Sequence, residues 1–164
     1  MNISVTGFRG IGKTTVSRLL AEKLDKKLIS TDEEIAKKTK LSPEKFVRKY
    51  GQEKFLDVET DVIEGICDFD ECVFDTSSSI VARNENIINL KKNGLIVLIT
   101  ADSKTINSRQ KTKQAKKNIE DVKSTLQVLE SKYKKAADYT IDTSNLSPEE
   151  VCDLIIHYIA MELK

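Results

Sequence analysis

The segment Gly7-Phe8-Arg9-Gly10-Ile11-Gly12-Lys13-Thr14 satisfies the pattern G-x-x-x-x-G-K-[ST] at every fixed position. No other feature narrows the fold as much, because the pattern has physical meaning only where a strand delivers the loop and a helix leaves it. Both flanks are present: Ile3-Ser4-Val5-Thr6 is a β-like run, and Thr15 to Leu24 is apolar at helical spacing. Glycines let successive backbone N–H groups turn toward one point, and the following helix directs the positive end of its dipole there. Lys13 adds a cation able to bridge outer phosphates, and Thr14 offers a hydroxyl to Mg²⁺. The expected triphosphate-binding residues are therefore Gly7, Arg9, Gly10, Ile11, Gly12, Lys13, Thr14 and Thr15.

Strand-like and helical segments alternate along the rest of the chain, which predicts an α/β sandwich with a mostly parallel sheet. Strands are expected near residues 2–6, 27–31, 72–76, 95–100 and 139–143. Helices are expected at 13–24 and 33–38, from Pro43 to Tyr50 behind a Ser42 N-cap with Gly51 as terminator, and at 52–68, 80–93 and 102–135. A last helix runs from Pro148, capped by Ser147, to about Leu163. Asp75 ends the short apolar strand Cys72-Val73-Phe74, and Thr76-Ser77-Ser78-Ser79 follows where a parallel strand hands its loop to the ligand edge of a sheet. That position makes Asp75 a site candidate.

The 164 residues are read as one domain, 1–164. With 27 basic residues against 26 acidic, the net charge is +1, so no global field favours nucleic acid or a membrane. No apolar run approaches the roughly 20 residues of a membrane span. Cys67, Cys72 and Cys152 are odd in number and lack C-x-x-C spacing, which points to reduced thiols and a cytoplasmic setting. His157 lies in the last helix and is read as a surface or packing residue. The absence of an N-K-x-D run argues against a guanine-nucleotide switch.

The chain resembles the shikimate kinase family of P-loop kinases over nearly its whole length. The resemblance rests on the Gly7 to Thr14 loop, on Ser30-Thr31-Asp32 where the family has Asp-Thr-Asp, and on Gly51 to Glu59, similar to G-E-x-x-F-R-x-x-E. It also rests on Tyr133 to Thr143, followed by Pro148, similar to the closing L-Y-x-x-x-A-x-x-x-V-D-T and the adenine-side loop. It implies a three-layer P-loop kinase fold: a five-stranded parallel sheet in the order 2-3-1-4-5, helices on both faces, and a lid near residues 110–124. It also implies transfer of the γ-phosphate of ATP, with Mg²⁺, to a hydroxyl of a small metabolite by a monomer or weak homodimer.

By the same likeness Asp32 is the expected general base, and Arg109 and Pro148 flank adenine. Lys116 takes the offset of the lid arginine that closes on the phosphates. Asp32, Glu59, Ser77, Ser78 and Ser79 are expected to face the acceptor, while Thr14 and Asp75 hold the metal in place of the carboxylate that Ser30 lacks. Asp32 also suits an N-cap for the helix from Glu33, and Asp75 suits a loop cap on Ser77 or Ser78.

The departures lie on the acceptor side. Leu56 stands where the family has a carboxylate-binding arginine, a second such arginine is missing near Leu129 and Glu130, and Ser77-Ser78-Ser79 replaces a Gly-Gly-Gly run. Lys54, Lys132 or Arg48 could fill in, or Arg9 could supply the lost anion contact, and Glu59 is left to pair with a base such as Arg9 or Arg48. A bidentate arginine is the contact a small carboxylate depends on, so these losses point to an acceptor other than shikimate. Shikimate kinase itself, and a nucleotide-binding regulator without phosphoryl transfer, are the alternatives.

Overall fold

In a computed structural model that describes residues 1–109 and 119–164, five parallel strands form one sheet. They are β1 (Asn2–Thr6), β2 (Lys27–Ser30), β3 (Cys72–Asp75), β4 (Gly94–Thr100) and β5 (Tyr139–Asp142), in the order β2-β3-β1-β4-β5. The sheet therefore has the topology expected from the resemblance. Its strands alternate between two apolar layers. Ile3, Val5, Val73, Val97, Ile99 and Ile141 pack under α1 (Lys13–Leu24) and α8 (Pro148–Glu162). Ile29, Phe74, Ile96 and Leu98 pack instead under α4 (Gln52–Ile66), α5 (Asn84–Lys91) and α7 (Ile119–Ala136). Helices consequently cover both faces, as continuous apolar central strands require.

The remaining helices are α2 (Thr31–Thr39), α3 (Pro43–Tyr50) and α6 (Ser103–Arg109). A small separate core of Ile35, Phe46, Phe55 and Val62 holds α2, α3 and α4 together beside the β2 edge. Ser42 and Ser147 cap α3 and α8 as expected, and Ser147 completes a capping box with Glu150. Both helices begin with Pro at their first position.

Several element ends shift by a residue or two from the expected ranges, and two differences bear on the site. Helix α2 begins at Thr31 rather than Glu33, because Ser30 is the N-cap and its Oγ accepts the Glu33 N–H at 3.3 Å. Asp32 is thus inside the first turn, free of the capping duty. The helix expected over 80–93 is broken at Arg83 (φ −126°, ψ 125°), with a 3-10 helix at Ser78–Ala82 before it and α5 after it. The break has two causes. Asn86 Nδ2 donates to the Ile80 carbonyl at 3.1 Å, taking an acceptor that a continuous helix would have used, and Arg83 is drawn to Asp57 (2.7 Å) and Glu53 (3.7 Å) on α4.

The helical stretch expected at 102–135 contains α6 and α7; Lys116 and most of the segment read as a lid lie outside the described residues. Among the described residues no helix is long and apolar enough to cross a membrane, and His157 is exposed on α8. All three cysteines are free thiols.

Candidate active site

The phosphate loop leaves β1 at Gly7 under a tight constraint: a Cβ there would stand 2.5 Å from the Ile99 carbonyl oxygen, so any side chain would push β4 away. Gly12 closes the loop at φ 101°, a left-handed conformation in open space, and serves as the N-cap of α1. Between them Phe8 and Ile11 are buried in the core and anchor the loop from below, while Arg9 is exposed. Thr14 and Thr15 are exposed at the first turn of α1.

Lys13 is folded back on its own loop, its Nζ donating to the carbonyls of Gly7 (2.9 Å) and Phe8 (3.1 Å). Burial, aided slightly by Arg9, lowers its pKa to about 8 against the opposing pull of Asp75 and Asp32. Thr14 Oγ1 donates to Asp75 Oδ2 at 2.9 Å, a contact spanning 61 residues. It follows from sheet register, since Asp75 lies opposite Val5 of β1 and Ser30 of β2. Asp75 therefore faces the phosphate loop and does not cap Ser77 or Ser78. Burial raises its carboxyl, while the Thr14 hydroxyl and Lys13 lower it.

Asp32 completes the charge cluster. Its side chain keeps contact with solvent, yet partial withdrawal from water raises its carboxyl, with the charge of Asp75 adding and that of Lys13 opposing. Thr31, the residue before it, is fully buried and ties the two loops together: its Oγ1 accepts the Ser77 N–H at 3.0 Å and donates to the Asp75 carbonyl at 3.4 Å.

The wall expected to face the acceptor does not show the expected pairing of Glu59 with an arginine. Glu59 is fully buried on α4, with Oε2 accepting from Ser77 Oγ and from Ser79 Oγ (2.8 Å) and Oε1 without a partner among the described residues. Neither Arg9 nor Arg48 forms an ion pair with it. Desolvation raises its carboxyl, opposed by the two serine hydroxyls, with Asp32 raising it further and Arg83 lowering it. Leu56 is half-buried and packs on the Ile35, Phe46, Phe55 and Val62 core, so apolar packing occupies the place of an arginine.

On the opposite side Arg109 closes the phosphate loop against the end of β5. It donates from Nη1 to the Ile11 carbonyl (3.0 Å) and Thr143 Oγ1 (2.9 Å), and from Nη2 to the Thr143 carbonyl (2.8 Å). Pro148 is exposed at the start of α8, past the same loop. Three contributors escaped the sequence reading: Thr31, Arg83 and Tyr133. Tyr133 is buried on α7 and donates its hydroxyl to the Ser78 carbonyl at 2.7 Å. It lay within the family-like Tyr133 to Thr143 stretch, but nothing local marked its partner.

A phosphate loop between β1 and α1, an Asp at the end of β3 bonded to its Thr, and a second Asp across the cleft define a P-loop kinase site. A shikimate kinase family model matches residues 9–160. The shikimate kinase of Caldicellulosiruptor bescii is 36% identical over 169 aligned positions, covering 99% of this chain and 98% of that one. The shikimate kinase of Thermodesulfovibrio yellowstonii is 37% identical over 161, covering 94% and 92%. The structure of shikimate kinase from Acinetobacter baumannii in complex with shikimate superposes with a TM-score of 0.90 at 26% identity, over 98% of this chain and 93% of that one. The chain belongs to the shikimate kinase family. It is accordingly a small-molecule kinase with a hydroxyl acceptor, using ATP and Mg²⁺.

Proposed function

We propose that this kinase phosphorylates a hydroxyl of shikimate, with Asp32 as general base. The observation that carries the reading is the cluster of Asp32, Asp75 and Lys13 in the cleft between the phosphate loop and the Ser77–Ser79 wall. The near-full-length relatives that bear the shikimate kinase name, and the shikimate-bound structure of the Acinetobacter baumannii protein, support shikimate better than they support a different acceptor.

In the step itself the acceptor oxygen forms a bond to the γ-phosphorus as the bond from that phosphorus to the β–γ bridging oxygen breaks, and ADP leaves. The acceptor proton passes to the Asp32 carboxylate. A carboxyl held above its ordinary range is a stronger base for this transfer. Lys13 neutralises the outer phosphates, the loop amides cradle them, and Arg109 holds the loop against the Thr143 edge where adenine would lie.

The donor set fits Mg²⁺: Thr14 Oγ1 and Asp75 are hard oxygen ligands already side by side, and Mg²⁺ is commonly held by one or two carboxylates plus phosphate oxygens. When bound, the ion supplies charge neutralisation to the phosphates. Asp75→Asn should raise the Mg²⁺ concentration for half-maximal turnover by about tenfold or more. An unchanged Mg²⁺ titration would remove Asp75 from the metal site.

A second reading is favoured by the wall itself. Leu56 and Leu129 provide no guanidinium, and Glu59 bonds to serine hydroxyls where an arginine partner was expected. Such a wall suits a hydroxylated acceptor without a carboxylate. Coupled ADP-release assays with shikimate and with neutral cyclic polyols, products checked by ³¹P NMR, separate the two. Turnover of shikimate supports the first reading, and turnover only of neutral polyols supports the second. ATP binding without turnover of any acceptor would reject the kinase reading in favour of a nucleotide sensor.

A further inference from the structure

The Gly7 carbonyl lies within reach of two donors, one on its own loop and one on α7. Lys13 Nζ reaches it at 2.9 Å, and the Tyr133 hydroxyl lies 3.5 Å away while donating to the Ser78 carbonyl at 2.7 Å. Tyr133 is 3% exposed, and burial together with the nearby charge of Glu59 raises its phenol, which keeps the hydroxyl a donor. A phenol has a single proton, so it serves one of the two carbonyls well at a time. In this state Lys13 supplies Gly7 and Tyr133 supplies Ser78.

A triphosphate changes that allocation. Charged phosphate oxygens are stronger acceptors than backbone carbonyls, so they draw the ammonium off the loop. A buried carbonyl stripped of its donor is left unsatisfied away from water, and the nearest replacement for Gly7 is Tyr133. We propose that Tyr133 is a positioning residue that couples the two halves of the site, its hydroxyl turning from Ser78 to Gly7 as nucleotide engages Lys13. The Ser78 carbonyl is thereby released to accept a hydrogen bond from the incoming hydroxyl compound. This last step rests on the placement of the acceptor against Ser77–Ser79 argued above; the switch between carbonyls does not.

Amide hydrogen exchange over residues 77–82, with and without Mg²⁺ and the non-hydrolysable analogue AMP-PNP, tests the switch without any acceptor. In the wild-type protein nucleotide should speed exchange there several-fold, because the Ser78 carbonyl at the start of the 3-10 helix loses the Tyr133 donor. Y133F should exchange fast already and ignore nucleotide. K13M, which vacates Gly7 without nucleotide, should resemble the nucleotide-bound wild type and keeps the test alive if Y133F fails to fold. A wild-type segment indifferent to AMP-PNP, a Y133F response equal to wild type, or K13M exchange equal to the empty wild type would each overturn the proposal. In calorimetry, AMP-PNP should tighten shikimate binding roughly fivefold or more in the wild type but not in Y133F, a coupling that loss of stability alone would leave in place. Absence of shikimate heat in both proteins would count against the acceptor named above, with the exchange data still deciding the role of Tyr133.

Discussion

Asp32→Asn is expected to lower kcat by about 10²- to 10⁴-fold, the usual contribution of a positioned general base, with nucleotide affinity nearly unchanged. Asparagine keeps the size of the side chain and its place in the first turn of α2, where Ser30 performs the capping, so the helix has no reason to shift. Only the proposed proton acceptor is lost. ADP-release kinetics give kcat and calorimetry with AMP-PNP gives affinity. Turnover retained within threefold would assign the proton to another group, and a parallel collapse of nucleotide binding would make Asp32 a part of the phosphate site.

The second large effect concerns Lys13. Its pKa of about 8 in the empty site means that the ammonium is progressively lost above that pH, whereas phosphate oxygens stabilise the charged form. Binding must then take up a proton, so affinity for AMP-PNP should be flat below pH 8 and fall up to tenfold per unit above it. The sign is that of a cation whose charge the unliganded protein disfavours and the ligand restores. Lys13→Met should remove this pH dependence and lower kcat by roughly 10²- to 10³-fold, the cost of losing one preorganised donor to developing charge. Lys13→Arg, charged throughout, should flatten the profile. A wild-type affinity constant from pH 7 to 9.5 would show that Lys13 does not titrate in this range.

The acceptor side shows how local and distant information divide. Leu56, Glu59 and the three serines were visible as departures from a family pattern, but their consequence was not. Glu59 does not find a substitute arginine; it takes Ser77 and Ser79, so the same serines that replace a glycine run also satisfy the carboxyl left behind. Arg83, the guanidinium whose charge does reach Glu59, belongs structurally to Asp57 and Glu53 and carried no signal in its own neighbourhood. Arg109 similarly was expected beside adenine, and the structure adds that it clamps Ile11 to Thr143.

The sequence by itself determined the phosphate loop, the strands and the caps of α3 and α8, because each is encoded within a few contiguous residues: glycines and Lys13 in one octet, apolar runs of strand length, Ser-Pro at two helix starts. Only the tertiary structure decided that Asp75 bonds Thr14, that Tyr133 bridges toward Gly7 across 126 residues, and that the chain breaks at Arg83. These depend on which residues parallel strands bring to the same edge and on which buried carbonyls remain to be satisfied. Neither quantity has a period along the chain, so neither is written where a local pattern could show it.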